Sequence, residues 1–166
     1  LVEASIAIND GKIFKVGKEP QMPRANKSVK FPGKVALPGV IDVHVHLRDQ
    51  ELSYKETFET GTMAAAVGGV TTVLDMPNNR PVTNSAKRII ERMKLAEGRI
   101  YVNVGFYSAL PKRVDEIDRI VEAGAVAFKV NLCRQIGEVD VDDDEQLLEA
   151  INRISLHNLP ISIHAE

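Results

Sequence analysis

Cysteine is almost missing from this chain, with Cys133 alone among 166 residues. One thiol cannot build an intrachain disulfide framework, and such scarcity fits a reducing compartment, so a cytoplasmic location is the expectation. Excess charge is missing too. Lysine and arginine total 21 against 23 acidic residues, a net charge of −2, which removes any bulk electrostatic case for nucleic acid or an anionic membrane. No apolar run approaches the roughly 20 residues that a bilayer-spanning helix needs. Residues 1–10 have neither the basic start nor the long apolar stretch of a secretory leader. They also lack an initiating Met, so further residues are expected ahead of Leu1. Low-complexity segments are absent. What remains, 44% hydrophobic and 27% charged, is the composition of a globular domain with a core of ordinary size.

The pattern changes at about Leu37. In residues 1–36, Ser5 to Asn9 alternates, Asp10-Gly11 supplies a tight turn, and Ile13 to Val16 returns. Residues 27–31 and 34–37 read as further short strands of a small β unit. In residues 37–166, strands alternate with helices. Strands are expected at 40–46, 70–76, 100–106, 126–132 and 160–165. Helices are expected at 54–67, 86–97, 111–123 and 143–157. Ser53 and Glu56 have the spacing of a capping box for the first helix. Ile89, Ile90, Met93 and Ala96 stripe the second helix, Val114, Ile117 and Val121 the third, and Leu147, Leu148, Ile151 and Ile154 the fourth. Four helix-linked returns to a parallel strand are the rhythm of an α/β barrel or a doubly wound sheet.

The segment Pro38-Gly39-Val40-Ile41-Asp42-Val43-His44-Val45-His46-Leu47-Arg48 carries the chemistry. It reads as a buried strand ending in two histidines at i, i+2. Alternate strand residues share a face, so His44 and His46 point the same way, with Asp42 and Arg48 beside them. Two imidazoles so placed are half of a metal site. An open dinucleotide-binding sheet would carry a glycine-rich loop after its first strand, and here His-x-His-x-Arg stands in its place. The second strand runs into Met76-Pro77-Asn78, the fourth ends around Lys129 and Asn131, and the fifth ends in His164-Ala165-Glu166. Polar groups thus gather at one end of successive strands, as the mouth of a barrel requires.

These motifs, with Gly68-Gly69-Val70-Thr71-Thr72 and Phe128-Lys129, occur in an order and spacing that resembles the cyclic amidohydrolases over nearly the whole chain. His46-Leu47-Arg48 and Met76-Pro77-Asn78 are similar to dihydroorotases in particular. Asp49-Gln50-Glu51 departs from the Glu-Pro-Gly that dihydroorotases often carry there. The resemblance implies a partial TIM-type (β/α) barrel, strands one to five, preceded by part of a small β-sandwich domain. It implies two Zn²⁺ ions per complete site, held by His44, His46, Lys129 and His164, with Lys129 carrying CO₂ as a bridging carbamate. It implies Arg48 and Asn78 as substrate-binding residues. The implied reaction is the reversible cyclisation of N-carbamoyl-L-aspartate to L-dihydroorotate in pyrimidine biosynthesis. The implied partner is thus a small molecule, with a homo-oligomer possible in this family. Allantoinase or hydantoinase chemistry and a non-catalytic scaffold are the alternatives.

Each residue also has a plainer reading. The histidine pair could be a satisfied polar couple, Lys129 a strand-end lysine, and His164 a core or capping residue. Arg48 could be an ion-pair partner and Asn78 a turn former. His157 reads as a helix-end residue, Asp75 as a cap or an orienting group at the mouth, and Cys133 as a small core residue. The acidic run from Asp140 to Glu145 reads as a solvated lead into a helix cap. A complete barrel needs about 200–250 residues. The chain is therefore expected to be the N-terminal half of such an enzyme and inactive by itself. A further histidine ligand and the general acid/base aspartate would then lie beyond Glu166.

Overall fold

The computed structural model describes all 166 residues, in two units, Leu1–Leu37 and Pro38–Glu166. In the first unit, β1 (Ser5–Asn9) and β2 (Lys12–Gly17) form an antiparallel hairpin. Asp10 and Gly11 both take positive φ at its turn, the backbone that a tight hairpin requires. The strands expected at 27–31 and 34–37 do not form. Val29, Phe31, Val35 and Leu37 are exposed. A strand needs a partner for its backbone groups, and none pairs with these segments.

The second unit is one sheet of five parallel strands in the order β3-β4-β5-β6-β7, curled into a half-barrel. The strands are β3 (Val40–Val45), β4 (Val70–Asp75), β5 (Asn103–Ala109), β6 (Ala125–Asn131) and β7 (Ile161–His164). The helices between them are α1 (Phe58–Val67), α2 (Ala86–Ala96), α3 (Glu116–Glu122) and α4 (Asp144–Ser155). Every strand therefore pairs with its sequence neighbour, as helix-linked parallel strands do.

Helix starts are set by local chemistry. Thr57 caps α1 by accepting from the Thr60 N–H, and the Thr60 hydroxyl accepts from the Thr57 N–H in return. The capping box thus sits four residues later than Ser53–Glu56, and residues 50–52 form a separate 3-10 turn. Ser85 caps α2, and Asp143 caps α4. The third strand starts at Asn103, three residues late, and α3 starts five residues beyond Pro111.

The core lies between helices and sheet, around Phe58, Val73, Ile89, Phe106, Ile117, Ile120, Phe128 and Ile154. Two expected core faces are rotated. In α2, Arg92 is buried where Ile90 and Met93 were expected, and in α4 Ala150 is buried while Leu148 is exposed. The opposite face of the sheet carries a smaller layer of Met76, Tyr107 and Ala127. The edge strand β3 is not buried: Val40, Ile41 and Val43 are all more than half exposed, because only one neighbour, β4, pairs with it.

Candidate active site at the carboxyl ends of the strands

The expected site residues stand at the carboxyl ends of β3, β6 and β7 and in the segments that follow β3 and β4. His44 lies on β3 and His46 immediately past its last residue. Their rings meet edge to face at 5.3 Å between centroids. His46 is half-buried, and its Nδ1 is buried without a hydrogen-bond partner. Its pKa is lowered by burial first, then by the charges of Arg48, His44 and Lys129, against an opposing contact from Asn78. A neutral ring with a free lone pair is the form in which imidazole binds a metal.

Lys129 is the buried cation of this face, at 6% exposure, and burial pushes its pKa down. That shift favours the neutral amine. In the β6–β7 ladder Lys129 pairs with Ser162 and Asn131 with His164, so Lys129 and His164 stand on adjacent strands, two residues apart in register. His164 is half-exposed and pairs at 3.2 Å with Glu166. Cys133 is exposed, not a core residue, and its sulfur meets the Glu166 backbone. Turning of the chain just past β6 brings this about: the Asn131 side chain accepts from the N–H groups of Cys133 and Arg134, at 3.1 and 2.9 Å.

Arg48 does not continue the strand alternation. It takes φ +52°, and Asp49 and Gln50 follow at +21° and +61°. Its guanidinium donates to the Asn78 carbonyl at 2.9 Å. Asn78 therefore serves Arg48 through its backbone, while its Oδ1 is buried and unpartnered. Arg48 and Asn78 line a concavity of about 530 Å³ with Tyr54, Lys55, Arg80, Asn131 and Arg134. Four cationic side chains face this space, and no carboxylate lines it.

Asp75 carries a structural part that the sequence left open between cap and orienting group. It is 2% exposed, accepts from the Leu47 N–H at 2.9 Å and pairs with Arg92 at 2.5 Å. Burial raises its pKa while Arg92 lowers it. Arg92 had no sequence signal of its own, because a basic residue in an amphipathic helix ordinarily faces water. His157 is the helix-end residue expected; its Nε2 meets Asp118 at 2.7 Å.

The donor types fit a zinc ion. Neutral imidazole is an ordinary zinc ligand, the Nδ1 of His46 lacks any other partner, and burial lowers the pKa of Lys129.

Comparisons with known proteins bear on the family and the fold. A family model described as dihydro-orotase-like matches residues 33–147. A dihydroorotase of Bacillus cytotoxicus is 36% identical over the whole of this chain, which covers 38% of that protein. An L-hydantoinase of Paenarthrobacter aurescens is 33% identical, again over the whole chain and 37% of the relative. The solved structure of an L-hydantoinase (dihydropyrimidinase) from Arthrobacter aurescens superposes with a TM-score of 0.90 at 33% identity, over 99% of this chain and 37% of that one. The chain thus spans less than two-fifths of the length of these relatives.

Proposed function

The chain belongs to the dihydro-orotase-like family, and from that premise we propose that the protein carrying it is a zinc-dependent cyclic amidohydrolase acting on dihydroorotate. His44, His46, Lys129 and His164 would hold the zinc, with Lys129 as a carbamate. The neutral Lys129 amine would form an N–C bond to CO₂ and lose a proton. Bound zinc supplies a water of lowered pKa and polarises an amide carbonyl. The reaction opens the ring amide of dihydroorotate to N-carbamoyl-aspartate, and the reverse closes the ureido nitrogen on the side-chain carboxyl.

The chain's own residues bind and orient the substrate. Arg48, braced on the Asn78 carbonyl, keeps further donors free for a carboxylate, and its planar fork suits that group. Asn78 Oδ1 is available to accept from a ring N–H. Such contacts would act by orientation, fixing the carboxylate end of the substrate.

The observation that carries this reading is the lining of the concavity, with Arg48, Lys55, Arg80 and Arg134 and no carboxylate. Dihydroorotate bears a carboxylate and N-carbamoyl-aspartate bears two. A hydantoin ring bears none. The likeness to hydantoinases supports a second reading, hydantoin hydrolysis, and the two separate cleanly. The test compares turnover of dihydroorotate and unsubstituted hydantoin by the natural gene product, with and without Arg48→Met. Dihydroorotate should be preferred, and Arg48→Met should raise its KM by about 10–100-fold, the value of a hydrogen-bonded charge pair, leaving zinc content unchanged. Preference for hydantoin with an indifferent Arg48 would install the second reading.

A further inference from the structure

We infer that the buried Asp75–Arg92 pair is a positioning device for Arg48, clamping the backbone that turns this side chain into the cationic concavity. This rests on the reading of Arg48 as the substrate's carboxylate grip. The two side chains are 2% and 1% exposed. Asp75 closes β4. One of its oxygens takes the Leu47 N–H at 2.9 Å, and the other takes Arg92 at 2.5 Å. Arg92 then donates from its other terminal nitrogen to the Arg48 carbonyl at 3.3 Å. The pair therefore holds the N–H of one residue and the carbonyl of the next. The guanidinium itself lies over the Phe58 ring, 4.4 Å from its centroid.

The clamped backbone is the unusual one. Arg48, Asp49 and Gln50 all take positive φ, a conformation in which the Cβ of an L-residue crowds its own backbone. Such segments persist where their surroundings over-determine them. Here Asp49 adds a second set of holds. Its carboxylate accepts from the Gln50 and Phe58 N–H groups and pairs with Arg99 at 2.9 Å. Its N–H bonds the Glu56 carbonyl at 3.1 Å. Continued extended backbone would keep Arg48 in step with His44 and His46. The left-handed turn takes it out of step and onto the Asn78 carbonyl. A buried ion pair is weak evidence for stability, since apolar replacements of similar volume often serve as well. What an apolar pair could not do is hold Leu47 N–H and Arg48 C=O together.

The test uses the natural gene product loaded with zinc. In the Asp75→Asn/Arg92→Met double variant no charge is left buried alone. Its KM for dihydroorotate should rise about tenfold or more, with kcat within about threefold and zinc content unchanged. In an Arg48→Met background the same double variant should raise KM no further, because the clamp acts only through Arg48. Should the double variant fail to fold, Arg92→Lys serves in its place. It keeps the charge and loses the fork, and its KM should rise to an intermediate value. An unchanged KM in either clamp variant, or an equal rise in the Arg48→Met background, overturns the inference. If Arg48→Met itself leaves KM unaltered, the carboxylate reading has failed, and the clamp loses its purpose with it.

Discussion

Phe58→Ala should be the most destabilising single truncation near the site, and its size can be worked from the contacts. Phe58 is fully buried as the first residue of α1. Its ring meets Phe106 edge to face at 6.0 Å and carries the Arg92 guanidinium on one face at 4.4 Å. Removing a buried phenyl costs roughly 3–5 kcal/mol, transfer and cavity together. The edge contact is worth about 0.5–1.5 kcal/mol and a desolvated cation over a ring up to about 2 kcal/mol. These overlap with the truncation value, so the expected loss is about 4–5 kcal/mol and not their sum. The Phe58 N–H to Asp49 bond survives in alanine, which keeps the helix start in place. In urea, with a slope of about 2 kcal/mol per molar, the midpoint should fall by about 2 M at unchanged slope. Phe58→Leu, which keeps most of the volume, should lose less than about half as much. A loss under about 2 kcal/mol for the alanine variant would show that α1 and the Arg92 layer collapse into the space, and the claim of a rigid support under Arg48 would fall.

Gly137→Ala should cost about 1–3 kcal/mol, because its Cβ would meet the Leu110 carbonyl oxygen at 2.5 Å and nitrogen at 2.9 Å, backbone atoms that cannot step aside. Since Arg134 and Gln135 line the concavity just before it, the KM for dihydroorotate should rise as well; equal stability of variant and parent in urea would remove the close approach. Asp118 ties α3 to α4 through Arg153 and His157, and its pKa is lowered to about 2, by Arg153 foremost and then His157. A depressed carboxylate pKa stabilises the fold above the unfolded value of about 3.9 and loses that contribution as pH falls through the folded value. Thermal melts should therefore place Asp118→Asn below the parent by a constant margin above about pH 5, with the margin closing toward pH 2. A margin that persists below pH 2 would refute the assignment.

Much of the fold was legible in the residues, and the failures have identifiable physical causes. Apolar runs at 70–76, 126–132 and 160–165 became β4, β6 and β7 within a residue or two. β5 begins at Asn103, three residues past Ile100, because Ile100 and Tyr101, strand-like by residue type, are both exposed. The α2 stripe departs from its apolar period because Arg92 interrupts it, and the Asp75 carboxylate at the end of β4, with the Arg48 carbonyl, makes its burial tolerable. Cys133 was expected in the core, but the Asn131 turn carries it to the surface.

The sequence by itself determined the alternation of strands and helices, the end of the sheet at which polar groups collect, and the residue types that gather there. Those follow from periods of 2 and 3.6 residues and from donor chemistry, which are local properties. The tertiary structure alone decided that Arg48 leaves the strand face through three positive-φ residues, that Asp75 and Arg92 hold that turn, and that four cations share one concavity. Each depends on atoms brought together from segments distant in sequence, as Leu47 with Asp75 and Arg92 with Arg48, and no period in the sequence encodes such a meeting.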